Sequence, residues 1–326
     1  MKRFFLSIIV AMTTVTGFAA NPYDNPDTLF VSRDGTCEFR NVADALEVCR
    51  AFMDYHKVIF VKKDVYKEKL IVPSWLTNIE ICGEDRDETI ITYDDHANIV
   101  DKSLPGNEKK IGTFRTYTVK VEGTAITFKN ITIENNAPKL GQAVALHTEG
   151  DRLKFLNCRF LGNQDTVYTG VGNTRLYFGD CYIEGTTDFI FGPSTGWFEN
   201  CDIFCKTNSY ITAASTPQGV EYGYVFNNCH IKVAEGVDKM YLGRPWRPYA
   251  HTVFMNCDLP RGIRTEGWQA WSNKGNEQTT RYREYKNRGE GAATAGRASW
   301  TSQLTDKEAK KLTIEEVLGK DMVVVK

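Results

Sequence analysis

Between residues 128 and 259 the chain repeats one short phrase of alternating apolar and polar positions: "FLNCRF" at Cys158, "FGDCYI" at Cys181, "FENCDI" at Cys201, "FNNCHI" at Cys229 and "FMNCDL" at Cys257. "FKNITI" is the same phrase with Ile131 in the cysteine place. Apolar residues fall at every second position, rich in aromatic and β-branched types, and helical periodicity is scarce between the phrases, so each phrase predicts strand. From Ile131 onward the copies are 27, 23, 20, 28 and 28 residues apart. Repeats of that length indicate a stacked array in which each unit buries its apolar face against the next. The predicted fold is therefore all-β, a right-handed parallel β-helix, with Gly, Asn and Asp at the phrase ends serving the turns between its sheets.

Two segments depart from this pattern. Residues 41–52, "NVADALEVCRAF", carry apolar residues at helical spacing and predict a helix that closes the N-terminal end. Residues 305–319, "TDKEAKKLTIEEVLG", predict a polar helix laid on the outside near the C-terminus. No Pro- or Ser-rich linker interrupts residues 21–326, which read as a single domain; the expected state is a monomer. The first twenty residues have a basic start at Lys2 and Arg3, a short apolar run and small residues at Gly17, Ala19 and Ala20. They predict a secretory signal peptide, and hence an exported, periplasmic or secreted protein with no membrane insertion of the mature chain.

Charge and cysteine content refine the picture. A formal net charge of −1 argues against a nucleic-acid partner. Export would permit disulfides among the nine cysteines, but an in-register column points neighbouring Cβ atoms in parallel. The repeated cysteines are read as small buried side chains stacked inside the coil. Cys37 and Cys49 lie outside the repeat, and their pairing is left open.

Candidate chemistry follows from the repeat. Asp165 lies seven residues after Cys158 and Asp188 seven after Cys181, which stacks the two carboxylates at about the 4.8 Å strand spacing. Counting back from the following cysteine aligns Gln142 with Asp165, with Gln164 alongside. Two carboxylates so close do not both ionise cheaply; one can donate a proton while the other attacks or acts as base. Two amides beside them could stabilise an oxygen gaining negative charge. The alternative is a polar turn ladder that only satisfies backbone groups. Tyr168, Phe189 and Phe191 nearby suit a sugar-binding cleft, or the core.

"GQAVAL" (141–146), "GNQDTVY" (162–168), "GTTDFIFG" (185–192) and "YLGRPWRPYA" (241–250), together with "GWQAWSN" (267–273) and "YREYKNRGEGAATAGRASW" (282–300), resemble the signature blocks of the pectin methylesterases, or pectinesterases, in family order. The resemblance spans roughly residues 28–320. It implies that Asp188 attacks the carbonyl of a methyl-esterified galacturonate, that Asp165 is the acid/base, that Gln142 and Gln164 form the oxyanion hole and that Arg244 orients the nucleophile. It further implies sugar contacts from Trp246 and, more weakly, Trp268, with methyl-esterified homogalacturonan (pectin) as substrate and no metal or organic cofactor. His147 stands where many members carry Arg or Lys, and "ITAASTPQG" (211–219) lacks an expected charged residue, which leaves the preferred charge pattern along the polymer open. A chain-cutting solenoid enzyme and a non-catalytic carbohydrate binder are the rival readings. The Gln pair argues against the first, and the complete set of catalytic residue types against the second. "GPSTG" (192–196) matches a serine-hydrolase pattern, but strand rather than helix follows Ser194. Asp85, Asp87, Asp94 and Asp95 read as solvated loop rather than a calcium site.

Overall fold

The computed structural model describes residues 21–103, 109–272 and 275–324; the expected signal peptide, residues 1–20, lies outside the described residues. Three parallel sheets of eleven, seven and seven strands wind into a right-handed parallel β-helix, whose central coils contribute a strand to each sheet while the end coils add strands to the largest one alone. The repeated phrase makes one corner of six successive coils. Its phenylalanine lies inside the eleven-stranded sheet, and Phe128, Phe155, Phe178, Phe198, Phe226 and Phe254 stack face to face with centroids 4.4–5.7 Å apart. Each ring is fully buried, and such burial contributes about 1.5–3 kcal/mol per side chain. The next Asn or Asp but one turns the chain: Asn130, Asn157, Asp180, Asn200, Asn228 and Asn256 all have φ between 50° and 56°. Short polar side chains tolerate this left-handed conformation best after glycine.

The cysteine that follows points inward. Cys158, Cys181, Cys201, Cys229 and Cys257 are at most 2% exposed, and the last four each donate a thiol hydrogen bond to the phenylalanine carbonyl of the preceding coil at 3.3–3.5 Å. They are free thiols, as are Cys37 and Cys49.

The N-terminal helical segment is shorter than its periodicity predicts. α1 covers Val42–Glu47 and buries Val42, Ala45 and Leu46 against the first coil. Near the C-terminus, one predicted helix is two: α2, Asp306–Ala309, and α3, Ile314–Leu318. The break has a local cause. Thr305 and Glu308 form a capping box on α2, while the Thr313 hydroxyl accepts from the Glu316 amide and starts α3 afresh. Both lie on the outer face of the eleven-stranded sheet, and their inner side is apolar: Ala309, Val317 and Leu318 pack with Tyr177, Trp197, Val225 and Val253.

Candidate active site

One seven-stranded sheet carries the site, and its strands run in the order Leu70–Val72, Val119–Val121, Leu146–Thr148, Val167–Thr169, Ile190–Gly192, Tyr210–Ala214 and Tyr241–Gly243. Asp165 and Asp188 occupy the corner just before two adjacent strands of this sheet. Both are left-handed, with φ of 67° and 49°. The pairs Val167 with Ile190 and Tyr168 with Phe191 set a register that stacks Asp165 directly on Asp188, as the repeat predicts.

Gln142 is not in that column. Leu146 pairs with Val167, so the residue in register with Asp165 one coil back is Val144. Counting from cysteines misplaced Gln142 by two residues, because the turn from Thr169 to Arg175 is longer than its counterpart after Thr148. Its side chain nevertheless reaches the same space. Gln142, Gln164, Asp165, Asp188, Arg244 and Trp246 line one cavity of about 330 Å³. Neither glutamine amide is engaged by another side chain or backbone group among the described residues, so both are available to a ligand.

Arg244 comes from two coils further on. Its backbone N–H bonds the Thr212 carbonyl, which places it beside Ala213 rather than over Asp188. The long side chain reaches back: Nε and Nη2 donate to Asp188 Oδ1 and Oδ2 at 3.0 and 2.6 Å, a bidentate pair. The guanidinium is clamped between the rings of Tyr210 and Trp271, each 3.9 Å from its centre.

The two carboxylates have different surroundings. Asp165 is 8% exposed and has no hydrogen-bond partner among the described residues; burial, reinforced by the Asp188 charge, pushes it well above the ordinary carboxylate range. Burial also pushes Asp188 up, but the Arg244 hydrogen bonds and charge oppose it. The arrangement can hold one carboxyl protonated beside one ionised, both at the floor of a cleft.

The aromatic expectations divide. Trp246 lines the cavity and packs near Phe191, with centroids 5.8 Å apart. Tyr168 stands behind it, half-buried, 4.7 Å from Phe191 and 4.8 Å from Phe114. Phe189 and Trp268 are corrections. The left-handed turn at Asp188 interrupts strand alternation and sends Phe189 into the core with no exposure. Trp268 is 1% exposed and donates Nε1–H to the buried Glu284 at 3.2 Å. Trp271 takes the place at the cavity; three residues on in extended chain, it faces the opposite side, a distinction that strand alternation could have supplied. Phe114, on the short turn Thr113–Arg115, also lines the cavity and carries no motif that would have singled it out.

His147 pairs with Tyr168, which pairs with Phe191, so it stands on the cleft side of the sheet but is covered. It is 3% exposed among Phe114, Tyr117 and Tyr168, and burial pushes its pKa down to about 4. Ser194 is fully buried and donates to the Val171 carbonyl, which removes the serine-hydrolase reading. Asp87, Asp94 and Asp95 pair with basic side chains, and Asp85 accepts from the backbone of Asp87 and Glu88. Among the described residues no cluster of three or more His, Cys, Asp or Glu is arranged to hold a metal ion.

Fold and site together define a solenoid hydrolase with a carboxylate pair at the bottom of an open cleft. The pectinesterase family model matches residues 28–321, and the chain belongs to that family of carboxylic ester hydrolases. It is 38% identical to pectinesterase 31 of Arabidopsis thaliana, over 86% of this chain and 88% of that protein. It spans about half the length of some other plant relatives, among them pectinesterase 2 of Arabidopsis thaliana, at 37% identity over 89% of this chain. Among solved structures it is similar to the pectin methylesterase from carrot, with a TM-score of 0.81 and 31% identity covering 89% of this chain and 93% of that one. PemA from Erwinia chrysanthemi matches with a TM-score of 0.78 and 29% identity over 90% and 97%.

Proposed function

We propose that this protein hydrolyses the methyl esters of galacturonate units in pectin, releasing methanol and leaving free carboxylates on an intact polymer. The observation that carries the reading is the bidentate Arg244–Asp188 pair beside the partnerless, buried Asp165. Of two stacked carboxyls, the one gripped by a guanidinium gives up its proton first, and the other keeps it. A related pectin methylesterase solved in complex with a hexasaccharide, 29% identical over 90% of this chain, supports a polymeric substrate in the cleft.

In this mechanism an ionised Asp188 oxygen attacks the ester carbonyl carbon. The carbonyl oxygen gains negative charge, and the Gln142 and Gln164 amides donate to it; donors of this kind contribute about 10²–10³ in rate. The C–O bond to the methoxy group breaks as Asp165 passes it a proton, and methanol leaves. Asp165, now ionised, takes a proton from water, which attacks the galacturonyl carbon of the mixed anhydride and frees Asp188 as a carboxylate. Arg244 holds Asp188 ionised and aimed throughout. Trp246 offers a flat apolar face to the sugar. No step calls on a metal or organic cofactor.

Export is part of the proposal, resting on the N-terminal segment; no helix among the described residues is long and apolar enough to cross a membrane. The test is methanol release from highly methylated pectin with a simultaneous viscosity trace, for the purified protein and an Asp188→Ala variant. Methanol at constant viscosity, lost by at least about 10⁴-fold in the variant, is expected. A fall in viscosity without methanol would instead support a chain-cutting enzyme.

A further inference from the structure

A second cavity, of about 250 Å³, opens on the outer face of the eleven-stranded sheet, away from the catalytic sheet, where α2 and the turn after it overhang the strands His251–Met255 and Arg281–Tyr285. Those strands pair in parallel, His251 with Arg281 and Val253 with Arg283, so alternate residues of both face outward into it. His251 is 5% exposed. Its Nδ1 accepts the Gly223 backbone N–H at 2.8 Å, which puts the proton of the neutral ring on Nε2. That N–H has no acceptor among the described residues. Burial, with the Arg281 and Arg283 charges, pushes the His251 pKa down to about 3, so the ring stays a neutral donor.

The remaining lining is mixed in a particular way. Arg281 is spent on the Glu221 and Val220 carbonyls, but among the described residues Arg283 holds one long hydrogen bond, 3.4 Å to Glu308, and Lys311 is exposed at the rim. Glu308 is occupied in the capping box, whereas Glu221 is exposed and Tyr222 presents a ring beside His251, 6.2 Å between centroids. Cationic and imidazole donors suit a carboxylate. A carboxylate acceptor and an aromatic face suit hydroxyls and a sugar ring. A bare inorganic anion would use the cations and be repelled by Glu221.

From this we infer that the protein has a second, non-catalytic site for a sugar acid, in which Arg283, Lys311 and the His251 Nε2–H hold the carboxylate of a terminal uronate while Tyr222 and Glu221 take its ring and hydroxyls. The identity of the acid rests on the proposed esterase reaction, whose product is a chain of such units; the donor set itself does not.

Calorimetric titration of the full-length mature protein with unmethylated trigalacturonate tests this, with inorganic phosphate as the second probe. Two sites per chain are expected for trigalacturonate, one of them weakened about tenfold or more by the double substitution Arg283→Gln and Lys311→Gln, with methanol release unchanged. Lys311→Gln alone, at an exposed position that folding does not depend on, is expected to weaken the same site by about two- to fivefold. A single site, two sites that ignore both variants, or phosphate binding as tightly as trigalacturonate would overturn the inference. Absence of methanol release with the second site intact would overturn the esterase reading and leave this site standing.

Discussion

The coils that carry Asp165 and Asp188 use a left-handed residue at two of their corners, and the two corners reach different ends. At the corner before the cysteine column, left-handed Asn and Asp residues form a ladder: Asn157 donates to Asn130 at 2.9 Å, Asn200 to Asp180, and Asn228 to Asn200 at 3.5 Å. Those side chains bond to one another along the surface of the coil. At the corner before the sheet that carries the candidate site, Asp165 and Asp188 have comparable φ values but are buried, and among the described residues their one charged partner is Arg244, reaching from two coils away. Left-handed carboxylates are thus unremarkable in this fold. Under the proposed function, what separates a turn from a reactive group is desolvation, together with a cation imported from another coil.

If that contrast is right, changes at the second corner should act on rate and changes at the first on stability. Asp165→Asn keeps the left-handed turn but can neither donate nor take the required proton, so methanol release should fall by about 10²–10⁴-fold. Next in size, Arg244→Lys replaces a bidentate fork by a point charge and loosens the clamp between Tyr210 and Trp271. A fall of about 10–10²-fold is expected, at the scale of lost charge-assisted hydrogen bonds. Because Arg244 opposes the burial-driven rise of Asp188, weakening it should also move the acid limb of the rate profile to higher pH; an unmoved limb would show that Arg244 does not control ionisation.

The smallest effect concerns stability. Asp165 binds its proton more tightly folded than unfolded, so its favourable contribution is present below the ordinary carboxylate range and is lost as pH rises through the elevated folded value. Asp165→Asn removes that loss. Its melting temperature should exceed that of the unsubstituted protein at pH 7, with the gap closing near pH 4; equal temperatures at both would mean that the carboxyl is not strained by burial.

Much of this was legible in the sequence where one residue type had one physical reason to recur. The F-x-[N/D]-C phrase encodes an inward ring, a left-handed turn and a small buried thiol, and those demands repeat in five successive coils. The stacking of Asp165 on Asp188 followed from the same register. Legibility failed where loop length or distance intervened. Two extra turn residues displaced Gln142 from its counted column, although its side chain still reached the cleft. Trp268 and Trp271 share one motif, and only the direction of extended chain separates the core residue from the one clamping Arg244. Tyr210 and Phe114 had no spacing to betray them, because they reach the site from a neighbouring coil and from a short turn. The second helix near the C-terminus hid behind continuous helical residues until Thr313 was seen to cap it.

The most direct test sets the two corners side by side: methanol release and melting temperature for Asp188→Ala and Asn200→Ala. Both substitutions place alanine in a left-handed position, which costs about 1–2 kcal/mol. Asn200→Ala should lose stability on that scale and retain its methanol release, while Asp188→Ala should lose methanol release altogether and remain folded. Comparable loss of methanol release in both variants, or activity surviving in Asp188→Ala, would contradict the claim that environment alone makes one of these corners catalytic.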